Sequence, residues 1–177
     1  MSDKRFVRRN EKVNFMEVAK GEFNRMKFFT AMGEEKNPME YSRQYVDEAY
    51  ERVDVVGISS GVSFSMDQRT NDEVHEIIVD IFENEKLGDD ATVTILSVDF
   101  TKPVELTEDG VAYKAKKRDF SVIPGSEGGE AEVYSYEGTF RAKGATIDGI
   151  AVFDSDAPTD ELETCTFQEN GEVTAEG

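Results

Sequence analysis

The chain has 177 residues, with 20 Lys and Arg against 38 Asp and Glu for a net charge of -18; that length suits one core burying about 70% of the unfolded surface. A single cysteine, Cys165, rules out an internal disulfide, and the acidic balance argues against a protein that grips nucleic acid through phosphate contacts. No stretch approaches the ~20 apolar residues of a membrane span, and residues 1–12 hold no apolar run of a signal peptide, which predicts a soluble chain made in a cytoplasm.

Residues 1–12 carry five basic side chains against two acids, a net of +3. Strands are expected at 23–32, 60–68, 91–100, 111–123, 132–143 and 146–153, where apolar residues alternate or form β-branched runs between turn residues. In 60–68, Val62, Phe64 and Met66 face one way while Ser63, Ser65 and Asp67 face the other. Residues 33–57 fit a globule poorly. They read either as a helix started at Asn37-Pro38 or as a long strand pair with few core residues, and the pattern does not decide between them. Residues 71–86 read as the one helix, because Val74, Ile77, Ile78, Ile81 and Phe82 fall at i, i+3, i+4, i+7 and i+8. Thr70 with Glu73 forms a capping box there, and Lys86 with Gly88 supplies the stop. The glycines in Pro124-Gly125-Ser126-Glu127-Gly128-Gly129 predict a hairpin turn. Residues 120–177 hold 13 acids against Arg141 and Lys143, and 155–177 have few large apolar residues, so this stretch reads as an acidic arm disordered in isolation.

No constellation points to an enzyme. His75, the lone histidine, sits at the flank of the helical stripe as a boundary side chain, without a histidine or nearby cysteine to share a metal. Cys165 lies among carboxylates that would raise its pKa and leave it inert. Asp154, Asp156 and Asp160 lack the glycine and distal glutamate of a calcium loop. No Gly-Lys-Ser/Thr follows Gly125, Gly128 and Gly129, so they make no phosphate loop. Lys114, Lys116 and Arg118 share a strand face, and cross-strand pairing with Glu132 and Glu137 is expected. No catalytic residue, metal site or cofactor is assigned. Two other classes remain open: a β-sandwich binding or adhesion module, and a small hydrolase with a polar cleft.

Four segments together resemble a known family: Arg8-Arg9-Asn10-Glu11-Lys12-Val13; Lys36-Asn37-Pro38-Met39-Glu40-Tyr41-Ser42-Arg43-Gln44-Tyr45-Val46-Asp47-Glu48; Asp54-Val55-Val56-Gly57; and Lys117-Arg118-Asp119-Phe120-Ser121-Val122-Ile123-Pro124. They are similar to the major tail (tail tube) proteins of long-tailed bacteriophages. The resemblance implies a mostly β fold, an antiparallel sandwich or half-barrel with one flanking helix and extended arms. It also implies a structural virion protein, with six copies closing into rings that stack as a hollow tube and conduct DNA from capsid to host. The expected domain is 1–154, with a basic N-terminal arm and an inter-subunit arm at 33–57, followed by an acidic arm at 155–177. Expected inter-subunit contacts are Arg5, Arg8, Arg9, Tyr41, Arg43, Tyr45 and Tyr50. Partners would be copies of itself, tail sheath, tape-measure and tail-terminator proteins, and DNA in passage, with no membrane; the place is the virion tail, after assembly in the host cytoplasm.

Overall fold

The computed structural model describes residues 4–106 and 109–169. Its elements in chain order are β1 (Lys12–Ala19), β2 (Glu22–Arg25), β3 (Phe29–Arg43), β4 (Arg52–Asp67), α1 (Glu73–Glu83), β5 (Thr92–Val104), β6 (Val111–Gly128), β7 (Ser135–Phe153) and β8 (Thr164–Glu169), with 3-10 turns at Arg9–Glu11 and Gly88–Ala91. All pairings are antiparallel, in the order β3-β4-β7-β6-β5-β1-β2-β8, and β8 pairs again with β7. That second pairing closes β7-β6-β5-β1-β2-β8 into a barrel. The β3–β4 hairpin hangs from the other half of β7: residues 61–67 of β4 pair with 135–141, whereas β8 pairs with 149–152. This is the mostly antiparallel fold with one flanking helix that the sequence leads one to expect.

β1 and β5 bury side chains on both faces, so two cores form on opposite sides of one sheet. Phe15, Leu96, Val98 and Phe100 point into the barrel with Ala151, Phe153 and Cys165. Met16, Val93 and Ile95 point to the other side, where α1 lays Val74, Ile78, Ile81 and Phe82 over Phe64, Met66, Phe120 and Phe140. Ile77 is only half-buried at the edge of that cluster. The Phe64 and Phe140 rings stack at 4.3 Å, and Phe82 meets Tyr136 edge-on at 5.1 Å, geometries favoured by the ring quadrupole.

Several expectations are corrected. The cap of α1 is Asp72 rather than Thr70: its carboxylate accepts the Val74 and His75 amide N–H groups at 3.0 and 3.2 Å, satisfying donors that the first turn leaves free. The helix ends at Asn84, and Lys86 instead pairs with Asp80. The strand expected at 23–32 is broken at Phe28, whose φ of 63° turns the chain between β2 and β3. The strands expected at 132–143 and 146–153 are one strand, β7, which begins only at Ser135. Residues 33–57 lie in a strand pair, β3 with β4, and not in a helix; Pro38 is tolerated because β3 is the sheet edge. The turn expected at 124–129 falls after Gly128, since Gly128 still pairs with Ser135. Gly125 serves close backbone approach: a Cβ there would sit 2.8 Å from the Glu137 carbonyl oxygen. β1 and β8 were not expected at all. Residues 164–169 of the expected acidic arm are the barrel strand β8, with Cys165 buried within it and Leu162 buried just before it; residues 1–3 of the basic arm and 170–177 of the acidic arm lie outside the described residues.

Candidate functional site

The β3–β4 hairpin outruns the sheet. Beyond Gly61↔Arg141 no pairing joins β4 to β7, while β3 and β4 remain paired out to Arg43↔Arg52. At 3.3 Å per residue the free ladder from Lys36 to Arg43 extends about 25 Å. The alternation of β4 explains what this arm presents. Met66, Phe64 and Val62 lie on the face turned to α1, and the same face continues outward through Ser60 and Ile58. The register shifts at Met39/Glu40, leaving Val56 as an extra residue, and the face resumes at Val55 and Val53. Val53, Val55, Val56 and Ile58 are each more than half exposed. The core-facing stripe thus runs on past the end of its core, with nothing among the described residues to cover it.

The opposite face is internally satisfied. Arg43 pairs with Asp54 at 2.7 Å, donates to the Tyr45 hydroxyl at 2.7 Å, and lies over the Tyr41 and Tyr45 rings at 5.1 and 5.4 Å. Arg52 pairs with Glu48 at 2.5 Å across the tip. Three of the four arm residues expected from sequence, Tyr41, Arg43 and Tyr45, are therefore one cluster, while Tyr50 stands apart and exposed. The valine stripe was missed, although the spacing of Val53 and Val55 was in plain view; without the register its face could not be tied to Phe64.

The N-terminal segment folds against its own chain. Arg5 grips both Glu11 carboxylate oxygens at 2.9 and 2.6 Å, and the Arg8 amide donates to the same group at 2.7 Å. Those bonds, from the Arg5 guanidinium first and the Arg8 amide second, pull the Glu11 carboxyl down to about 2. Arg9 donates to the Lys12 carbonyl at 2.7 Å and the Met32 carbonyl at 3.3 Å. Phe6 is almost fully exposed.

The groups considered for chemistry have other work. His75 is fully buried and not a boundary side chain: its Nδ1 accepts the Arg69 amide N–H at 2.9 Å and its Nε2 donates to the Lys27 carbonyl at 2.8 Å. It pins the start of α1 to the end of β4 and to the turn between β2 and β3. Cys165 has its thiol pushed up to about 12, by burial rather than by neighbouring carboxylates. Lys116 pairs with Asp148 at 3.5 Å, and in the register neither Glu132 nor Glu137 lies opposite Lys114, Lys116 or Arg118. Among the described residues no group of three or more His, Cys, Asp or Glu could hold a metal, and no helix is long and apolar enough to cross a membrane.

No protein-family model matches the sequence, and no curated protein matches it. Solved structures do. A chain from the virion of a native gene transfer agent particle is similar over 80% of this chain and 97% of its own, with 12% identity and a TM-score of 0.48. A chain in the tail of an empty gene transfer agent particle, solved by helical refinement with C6 symmetry, aligns over 80% of this chain and 97% of its own, with a TM-score of 0.56 and 11% identity. At that identity the likeness establishes the fold: this chain has the fold of that tail chain over nearly the whole of the latter's length.

Proposed function

We propose that the chain is a structural subunit of a phage-like tail, with copies closing into six-membered rings that stack as a hollow tube. The observation that carries this reading is the fold shared with a tail chain assembled under C6 symmetry. The arm supports it, because an apolar stripe continuous with a core and left uncovered calls for another surface to bury it. In this reading residues 33–57 reach the next ring, and the Tyr41, Arg43 and Tyr45 cluster holds the arm straight. Arg5, Arg8 and Arg9 dock on acidic surface of an adjacent copy, and Arg5 leaves Glu11 at little cost because an exposed pair exchanges partners readily. A wall of net charge -18 per copy repels phosphate, so DNA passes without binding. Sheath, tape-measure and terminator proteins are the remaining partners, and the subunit performs no catalysis.

Negative-stain microscopy of the purified protein tests the reading. Rings or tubes are expected, and a protein that stays a clean monomer at every concentration and salt overturns it. Replacing residues 38–58 by Asn-Gly, which joins Asn37 to its register partner Ser59 through a tight hairpin turn, should leave a folded subunit that cannot stack. Tubes of normal length from that variant would refute the role of the arm. Replacing Arg5, Arg8 and Arg9 by glutamate should slow tube growth at low salt, with added salt narrowing the gap.

A further inference from the structure

Away from the β3–β4 arm, Lys12, Lys102, Lys114 and Lys116 border a groove of about 580 Å³. Two acids partly balance them: Asp99 lies 4.0 Å from Lys102, and Asp148 lies 3.5 Å from Lys116. Lys12 and Lys114 flank Asp99 from the neighbouring strands and form no ion pair among the described residues. The groove is therefore locally cationic on a chain of net charge -18, where chance contacts between copies repel. After β7 the chain makes a turn in which Asp154, Asp156 and Glu161 are exposed and likewise form no ion pair among the described residues. The neighbouring Glu163 is already held by Lys27. None of these three acids lines the groove.

From this we infer that the lysine groove receives the acidic turn, residues 154–161, of a second copy. The inference rests on the reading of the chain as a self-associating subunit and names a contact for it. Because groove and turn are different patches of one surface, the contact is heterologous: it repeats from copy to copy and closes a ring or extends a filament. It works by orientation as much as by strength, since the groove offers an incoming copy positive charge while most of the surface repels it.

Full-length chains carrying K12E/K114E/K116E or D154K/D156K/E161K test this by sedimentation and light scattering at low ionic strength, with circular dichroism confirming the fold. Each variant alone should need about tenfold more protein to assemble, the effect of losing three exposed pairs of ordinary strength. An equal mixture of the two should assemble close to wild type, because each reversed surface then finds its complement on the other chain. A groove variant that assembles like wild type, or a mixture no better than its components, overturns the contact while leaving the tail reading standing. Wild type that never assembles overturns the tail reading and this contact together.

Discussion

Replacing His75 tests how the helix is fastened to the strands. The ring is fully buried and bridges the Arg69 N–H at 2.9 Å and the Lys27 carbonyl at 2.8 Å, two backbone groups that no strand pairing reaches. His75→Phe keeps the ring's bulk and its edge contacts with Phe28 and Phe29, whose centroids lie 6.2 and 5.8 Å away. It strands both backbone groups, at about 1–3 kcal/mol each when buried without a partner, so a loss of about 3 kcal/mol is expected. His75→Ala adds a cavity and should cost about 4–5 kcal/mol, a large part of the ~5–15 kcal/mol that holds a domain together. For a chain of this size that corresponds to a fall in Tm of about 8–20 °C. Urea unfolding followed by circular dichroism gives the energies, and amide exchange at Arg69 reports the bond itself. A His75→Phe protein within about 0.5 kcal/mol of wild type, a change no larger than ordinary surface scatter, or with the Arg69 amide exchanging no faster, would refute the pinning role.

Ile78→Asp should prevent folding, because an unpaired carboxylate at a fully buried position costs several kcal/mol, whereas Ile77→Ala at the half-buried edge should cost about 1 kcal/mol; soluble, folded Ile78→Asp protein would move the helical stripe. The Glu11 carboxyl should titrate near 2 by NMR, against an ordinary value of 4.5. Because the folded value is the lower one, its stabilisation of the N-terminal turn is complete above the ordinary value and disappears as pH falls through about 2. Arg5→Ala should move the midpoint back up, and a midpoint that stays put would mean that Arg5 is not its partner. Cys165, with its thiol near 12, should resist a thiol reagent at pH 8 until the chain unfolds, and prompt labelling would show that β8 is not seated in the barrel.

The helix was legible because one side of it is wet, so its apolar residues keep a 3.6-residue period. β1 was not, because Phe15 and Met16 serve two different cores and adjacent buried residues erase the alternation that marks a half-exposed strand. β8 disappeared for the opposite reason: within it Cys165 is the one fully buried side chain, and the acids around it read as a tail. His75 stands 100° from Val74 on the wheel, which reads as a flank; what buries it is the turn at Phe28, a tertiary neighbour no local pattern reveals. Residues 33–57 stayed undecided because the free part of the arm faces no core of its own chain, and burial is what normally gives a strand its period. The lysines at 114 and 116 were visible as a face, but their partners depended on register, and the register put Asp148 opposite Lys116.

β7 serves the arm with its first half and the barrel with its second, on either side of a bulge that sets the three residues Gly144–Thr146 opposite the single Arg118. A pull along the arm therefore does not peel β4 away from its end. It loads the seven residue pairs between β4 and β7 in shear, so the hydrogen bonds share the force and must yield together. The load then passes down one continuous backbone into the closed ring of strands, through the stretch where Phe64, Met66, Tyr136 and Phe140 pack with α1. The arm is in this sense a tie-rod anchored in the barrel, with tension carried by the strand pairing and the helix clamped across the joint.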